Sequence, residues 1–406
     1  MIKKIIMKAL LSSFFRGIVG ATLVVSGIVK GNDSIGFSYK LEEYFQDGAL
    51  AYRMHEIFGW NSFSLEWLIP YVLQLAIFIC VFEIILGFAL IVKAKIKMSL
   101  FFTFSMLIFF TFLTLHTATC VPGETSSGIP IQCVDDCGCF GDAMKDSIGR
   151  SLTPWESFIK DILLIIFSIP ILILDRKKGL NSLFQDIPSI IFSSIFTLIW
   201  CFIFSWYFPF LFLIILFSVY FLIKKYYSYS SVIISFTALL SFLFVSHTLN
   251  NLPVMDYRPY KVGFNFKSNF DSSYEEVKIN ETTSLSIYDS QDNNFTNEFV
   301  NYPSVIVSSS YKFNEFSKKP FMKIKSLFYD AKKNDIKVMQ ICDYFDMPKV
   351  KEAVGEDSVY YYSDSDIGKI IIRSDPGILL FKNGVIIKKW HHNDIPTIDE
   401  INELLK

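Results

Sequence analysis

Long apolar runs punctuated by short basic clusters fill the first 250 residues, and a more polar stretch of short alternating runs fills the rest. Residues 1–30 open with Lys3, Lys4 and Lys8 and then turn apolar as far as Val29. The run is longer than a signal-peptide core and carries Arg16, so it reads as an uncleaved first span. Residues 32–63 are mixed, with a short amphipathic helix expected around 39–45. A second span is expected over 65–92, ending at Lys93, Lys95 and Lys97; a third over 98–119; and a fourth over 158–174, ending at Asp175, Arg176, Lys177 and Lys178. The apolar run 187–223 is too long for one crossing, and Trp206, Tyr207 and Pro209 near its middle suit a turn at an aromatic interface. Lys224 and Lys225 close it, and a last span is expected over 232–248. Counting 187–248 as a single crossing leaves five spans; dividing it gives seven.

Pro253 and Pro259 disfavour helix, so 251–280 reads as a tether. Beyond it the period changes. Strands are expected at 304–308, 336–342 and 359–362, with helices at 320–334, 348–354 and 364–372 between and after them. A hairpin at 377–381 and 385–390 turns on Lys382-Asn383-Gly384, because Asn-Gly accepts the positive φ of a tight turn. A closing helix is expected over 397–405. Alternating strands and helices followed by a hairpin imply a soluble α/β domain with a mixed sheet.

Composition agrees with this division. Of 406 residues 52% are hydrophobic, too many for one soluble globule. Basic and acidic residues balance, 38 against 39, which gives no footprint for nucleic acid. The basic clusters at 3–8, 93–97, 176–178 and 224–225 fall on one side when the spans alternate, and that side is cytoplasmic. The N-terminus is then cytoplasmic, while the loop 120–142 and everything after Asn250 lie outside.

Candidate chemistry concentrates in that loop, CVPGETSSGIPIQCVDDCGCFGD, which holds four of the seven cysteines. Three readings are open: thiol–disulfide exchange, two structural staples, or a four-cysteine zinc site, the last lacking paired CxxC knuckles. Spacing does not fix the connectivity. The working assignment makes Cys120–Cys133 the structural disulfide and Cys137 with Cys139 the catalytic pair, with no metal.

Arg16 and Glu83 lie inside apolar runs, where an unpaired charge costs at least about 2.5–3.5 kcal/mol, so a pair between spans one and two is expected; the alternative is a polar site for a quinone or a substrate headgroup. His116, one helical turn before Cys120, is a candidate to favour thiolate, or else a residue meeting the interface. Lys160 and Asp161 are expected at the interface. Cys80, Cys201 and Cys342 read as inert packing residues.

Arg16, Gly20, Ser26, Gly27 and Lys30, with Glu83 and Gly87 and the run Cys137-Gly138-Cys139-Phe140-Gly141-Asp142, resemble the DoxX/MauE group of redox-associated membrane proteins over about the first 175 residues. The longer form, with Leu252 to Tyr260 and the ending Lys388-Lys389-Trp390-His391-His392-Asn393, is similar to DoxX-family proteins of Bacteroidota that carry a thioredoxin-like tail. The resemblance implies a four-helix core, here within 1–178, a bacterial inner-membrane location with a periplasmic tail, and a link to disulfide or quinone chemistry. Residues 179–250 supply additional transmembrane helices, and 281–406 the thioredoxin-like domain. In such a tail Pro376, after Asp375, would be cis and face the working groove, making Asp375 and Pro376 docking residues. A disulfide-exchanging tail would carry CxxC where this chain has Ser308-Ser309-Ser310-Tyr311-Lys312, so docking is expected there and exchange is not.

The expected fold is therefore an α-helical polytopic membrane bundle followed by a soluble α/β thioredoxin-like domain. The expected function is a membrane thiol–disulfide protein, coupled to a membrane quinone or to a periplasmic or membrane protein partner, with Arg16, Glu83 and His116 tuning the site. The rival is a non-enzymatic scaffold within a larger envelope complex. Solute transport is disfavoured by the scarcity of charge in the later spans.

Overall fold

A computed structural model describes residues 2–60, 62–125, 128, 130–134, 138, 140–144, 151–175, 183–226, 230–278, 284–313, 318–355 and 359–406. The chain divides into two compact units, Met1–Thr248 and Leu249–Lys406.

The first unit is helical. Its elements are α1 (Ile2–Asn32), α2 (Ser34–Phe45), α3 (Tyr52–Phe58), α4 (Val72–Ile91), α5 (Ile96–Thr119), α6 (Pro154–Leu174), α7 (Leu183–Ile203), α8 (Phe208–Tyr226) and α9 (Ser230–Asn250). Seven helices among the described residues are long and apolar enough to cross a membrane. The architecture is that of a polytopic helical membrane bundle, whose exposed apolar side chains suit lipid contact. The run 187–223 is two helices: the Trp206 N–H closes onto the Cys201 carbonyl and Ser205 takes φ 51°, reversing the chain between α7 and α8.

Helix α1 is the axis of the bundle, packing against α4, α6 and α7. Glycine makes the α4 approach possible: a Cβ on Gly87 would sit 2.6 Å from the Gly20 carbonyl oxygen and 2.8 Å from the Val24 nitrogen. Small residues take this role in membranes because packing, not water exclusion, drives helices together there. Helix α6 starts at a capping box, Thr153 with Glu156, and Pro154 occupies its first turn. Its buried residues are Ser157, Asp161, Leu164, Ser168 and Ile171, one stripe at helical spacing, while Ile159, Leu163, Ile166, Ile169 and Leu172 face outward.

The second unit is built on a five-stranded sheet of β6 (Ser304–Ser310), β7 (Lys337–Cys342), β8 (Tyr360–Tyr362), β9 (Gly377–Lys382) and β10 (Val385–His391), in the order β10-β9-β6-β7-β8. β6 pairs parallel to β7 and antiparallel to β9, so the sheet is mixed. As the central strand, β6 is buried on both faces. Val305 and Val307 join one core with Phe299, Ile341 and Phe381, and Ile306 joins the other with Phe321, Phe328 and Leu380. The hairpin turns at Asn383 and Gly384, both with positive φ.

One expectation is corrected here. Residues 251–280 are not a plain tether, because Tyr260, Phe266 and Val277 are fully buried in the sheet's first core. A small antiparallel sheet of β3 (Phe270–Asp271), β4 (Glu276–Lys278) and β5 (Ser284–Leu285) lies in and beside this segment. The two prolines ruled out helix there; they did not rule out aromatic residues anchoring an irregular chain.

Candidate functional site

The cysteine loop is tied down at its start. Cys120 and Cys133 form a disulfide, and between them β1 (Gly123–Glu124) pairs antiparallel with β2 (Pro130–Ile131). The stem rests on the chain between α2 and α3: the Gln132 N–H donates to the Gly48 carbonyl at 2.9 Å, and Arg53 donates through Nη2 to the Thr119 carbonyl at 2.7 Å. Gly48 is required, since a Cβ there would lie 2.2 Å from the Pro130 oxygen. Further along, Phe140 is buried with its ring centroid 5.0 Å from that of Trp200 and 5.3 Å from that of Phe204. Cys137 and Cys139, the expected catalytic pair, lie outside the described residues. With Cys120 and Cys133 bonded to each other, a four-cysteine zinc site is not available in this state.

Phe140 seats on a chamber inside the bundle. Its walls come from α1 (Thr22, Ser26, Lys30), α4 (Glu83), α5 (Leu107, Phe110) and α6 (Lys160, Asp161, Leu164), with Phe140 above. Lys30 Nζ lies 2.7 Å from Glu83 Oε2 and 2.9 Å from Ser26 Oγ, with both charged side chains under 5% exposed at 1% and 3%. Lys160 Nζ lies 3.2 Å from Asp161 Oδ1 and 4.6 Å from the centroid of the Phe140 ring. Thr114 donates to Asp161 Oδ2 at 3.3 Å. The free space holds about one water molecule, too little for a quinone ring.

One expectation changes. Arg16 and Glu83 do not pair: Arg16 lies fourteen positions before Lys30, about 21 Å along the helix, at another level of the bundle. Arg16 meets Asp175 at 3.4 Å, and Lys93 meets the same carboxylate at 2.5 Å. Beside this pair Asp186 accepts from Tyr220 at 2.5 Å and binds Lys224. Asp161 is also buried, at 2% exposure. It lies seven residues inside α6, about 10 Å from the end, and turns inward with Ser157 and Ser168. Lys30, Lys160 and Asp161 are the ionisable chamber residues that sequence reasoning missed as site residues. The signal was present, since Ser157, Asp161 and Ser168 recur at helical spacing on one stripe of α6.

His116 is buried between the rings of Tyr44 and Tyr52, with centroids 6.2 and 5.8 Å away, and neither ring nitrogen has a hydrogen-bond partner among the described residues. Cys120 has no thiol for it to tune, being in the disulfide. Cys80, Cys201 and Cys342 are buried and unbonded.

In the second unit the Asp375–Pro376 peptide is cis, and Pro376 is buried. Asp375 turns inward. Its carboxylate accepts from Ser310 Oγ at 2.7 Å and from the backbone N–H groups of Tyr311 and Lys312, while Asp346 accepts from the Phe313 N–H at 2.7 Å. The segment after β6 is therefore clamped by two carboxylates, and the half-buried Asp375 is engaged within the fold. Burial raises Asp375 to about 6 despite the donors that oppose the shift. A carboxyl raised in the folded state stabilises fully below its unfolded value and loses that contribution as pH rises through 6. The full chain should therefore lose up to about 3 kcal/mol of stability in this unit between pH 4 and 7, and Asp375→Asn should not. Hydrogen exchange of the β6 and β9 peptides, corrected for intrinsic rates, measures the difference. Asp256 works in the opposite direction: burial would raise it, but Arg258 and Lys389 together hold it down to about 2.

Comparison with protein-family models, with curated proteins and with solved structures finds no match for this chain.

Proposed function

We propose that this chain is an inner-membrane thiol–disulfide protein of the DoxX/MauE type, with the cysteine loop and a thioredoxin-like tail on the periplasmic side. The observation that carries the reading is a disulfide-stapled loop whose Phe140 rests on a chamber of four ionisable side chains within the helical bundle. A disulfide fits a compartment that keeps thiols oxidised. Ionisable residues inside a span mark a working site more often than a structural one. Cys137 and Cys139 then exchange disulfides with an envelope partner, and any quinone is met outside the chamber. The tail, with a carboxylate-clamped serine segment where CxxC would stand, docks the partner through its other surfaces.

The Cys137→Ser, Cys139→Ser double variant should lose all mixed disulfides that wild type forms when cells are quenched with acid and alkylated. Undiminished trapping in the double variant would end the thiol–disulfide reading. It would favour the rival, a scaffold whose remaining disulfide is a staple. Purification in mild detergent would then recover a stoichiometric partner whose binding ignores reductant.

A further inference from the structure

The chain between α3 and α4 displays an apolar, aromatic face that lies outside the chamber and outside the spans proper. Ile57, Phe58, Trp60, Trp67 and Tyr71 are each more than half exposed, and from 57 to 71 the sequence carries one charged residue, Glu66. The exposure belongs to the fold. Gly59 takes φ 67° to end α3, its N–H donating to the His55 carbonyl at 2.9 Å, and Trp60 turns back onto the ring of Phe58, with centroids 5.2 Å apart. The Phe63 N–H donates to the Trp60 carbonyl at 3.0 Å, and the His55 ring meets the Phe63 carbonyl at 2.7 Å. Ser64 Oγ donates to Asp47 Oδ1 at 2.7 Å, and the 3₁₀ helix Glu66–Tyr71 leads directly into α4. Left in water, a patch of this kind would be a liability, and such patches mark contact with another protein or with a membrane.

We propose that residues 57–71 are an interfacial membrane anchor, seated in the headgroup layer at the end of the bundle that carries the cysteine loop. Three observations select lipid over a protein partner. First, the patch continues into the lipid-facing surface. Phe78 follows Tyr71 by seven positions, two turns further along on the same side, and is likewise more than half exposed. Second, the patch lies where spans end. Arg53 on α3 donates to the carbonyl of Thr119, the last residue of α5, and Trp67 and Tyr71 stand at the start of the apolar run 66–91. Trp155, also more than half exposed, stands in the first turn of α6. Third, Trp and Tyr pair a broad apolar ring with one polar group, so they gather where hydrocarbon meets water. The segment is too short to cross a bilayer, and Gly59 and Pro70 interrupt it.

The anchor also places the cysteine loop. Its stem rests on the same part of the chain, through the Gln132 N–H on the Gly48 carbonyl and Arg53 on Thr119, the neighbour of Cys120. Val121, just after Cys120, is exposed as well. The Cys120–Cys133 staple is then held at the membrane surface, and whatever meets the loop approaches along that surface. The proposal stands whether or not the loop exchanges disulfides.

The test is photolabelling of the full chain in phosphatidylcholine nanodiscs. One lipid probe carries a diazirine on the headgroup and a second carries it at the end of an acyl chain; labelled peptides are read by mass spectrometry. An interfacial element reaches only about 5–10 Å into the headgroup–acyl boundary, so the peptide holding 57–71 should take the headgroup probe about ten-fold more than the acyl-end probe. The α5 peptide around Ile108, which is exposed in mid-span, should show the reverse preference. Trp60→Asp combined with Trp67→Asp should lift the segment into water and cut its headgroup labelling about ten-fold, while Trp60→Phe should leave it within about two-fold.

Labelling of 57–71 by neither probe overturns the proposal, and is the result expected if a second copy covers the patch or if it projects into water toward a protein partner. Acyl-end labelling equal to that around Ile108 also overturns it, because the segment would then dip into the hydrocarbon. So does headgroup labelling that survives the paired Asp substitutions unchanged. Where that double variant does not insert, the wild-type pattern with the two probes decides by itself.

Discussion

Replacing Lys30 by Met should destabilise the membrane unit by about 3–5 kcal/mol, the range for removing one partner of a buried ion pair. The cost comes less from the lost attraction than from what remains. Glu83 would keep its carboxylate at 3% exposure between α1 and α4 with its 2.7 Å partner gone. Ser26 cannot take over, since a hydroxyl supplies one weak donor and no charge. Glu83→Gln should cost less, because the amide still accepts from Lys30 while the ammonium is left to the ring of Phe110, 4.4 Å from its centroid. The Lys30→Met, Glu83→Leu double variant should then be more stable than Lys30→Met alone, as neither charge remains. Unfolding in mixed detergent micelles, followed by tryptophan fluorescence, gives all three values. Strictly additive losses would show that the two side chains do not form a unit.

That pair marks the limit of what the sequence made legible. The spans were readable because apolar length is a property of a single segment. The turn at 204–207 was readable because Trp206 and Pro209 interrupt a run that no bilayer needs to be so long. Partnering was harder. Arg16, Lys30, Glu83, Asp161 and Asp175 were all visible as charges in or beside spans, but which ones meet depends on the level and rotation of three helices. A pairing of Arg16 with Glu83 satisfied the count of charges and failed on the rise per residue, which puts Arg16 about 21 Å from the level of Lys30. Asp161 was read by its nearness to the start of α6; that it turns inward, seven residues in and beyond the exposed Trp155, was not visible from its position alone. In the tail the strands declared themselves by alternation. Tyr260 and Phe266 did not, because an aromatic residue in an irregular segment carries no period to read.

Gly87 tests how the two charged helices are brought together. A Cβ added there would lie 2.6 Å from the Gly20 oxygen and 2.8 Å from the Val24 nitrogen, both backbone atoms that cannot rotate away. Gly20 meets the reciprocal obstacle, 2.6 Å from the Gly87 oxygen. Gly87→Ala should therefore destabilise the unit by about 1–3 kcal/mol through overpacking, and Gly87→Val by more, since a branched side chain needs the helices to separate further. The intrinsic preference of Ala over Gly in a helix works the other way by only about 1 kcal/mol, so the sign of the net effect reports the contact. Gly123→Ala is the control, because the nearest atom to its added Cβ is 4.0 Å away. The consequence reaches the chamber, since Gly87 and Glu83 are one turn apart on α4 and any separation at the glycines lengthens the Lys30–Glu83 contact. Gly87→Val combined with Lys30→Met should accordingly cost less than the two losses added. If the pair and the glycines proved independent, α1 and α4 would have to be held together elsewhere, and the chamber would not depend on the seam that Gly20 and Gly87 form.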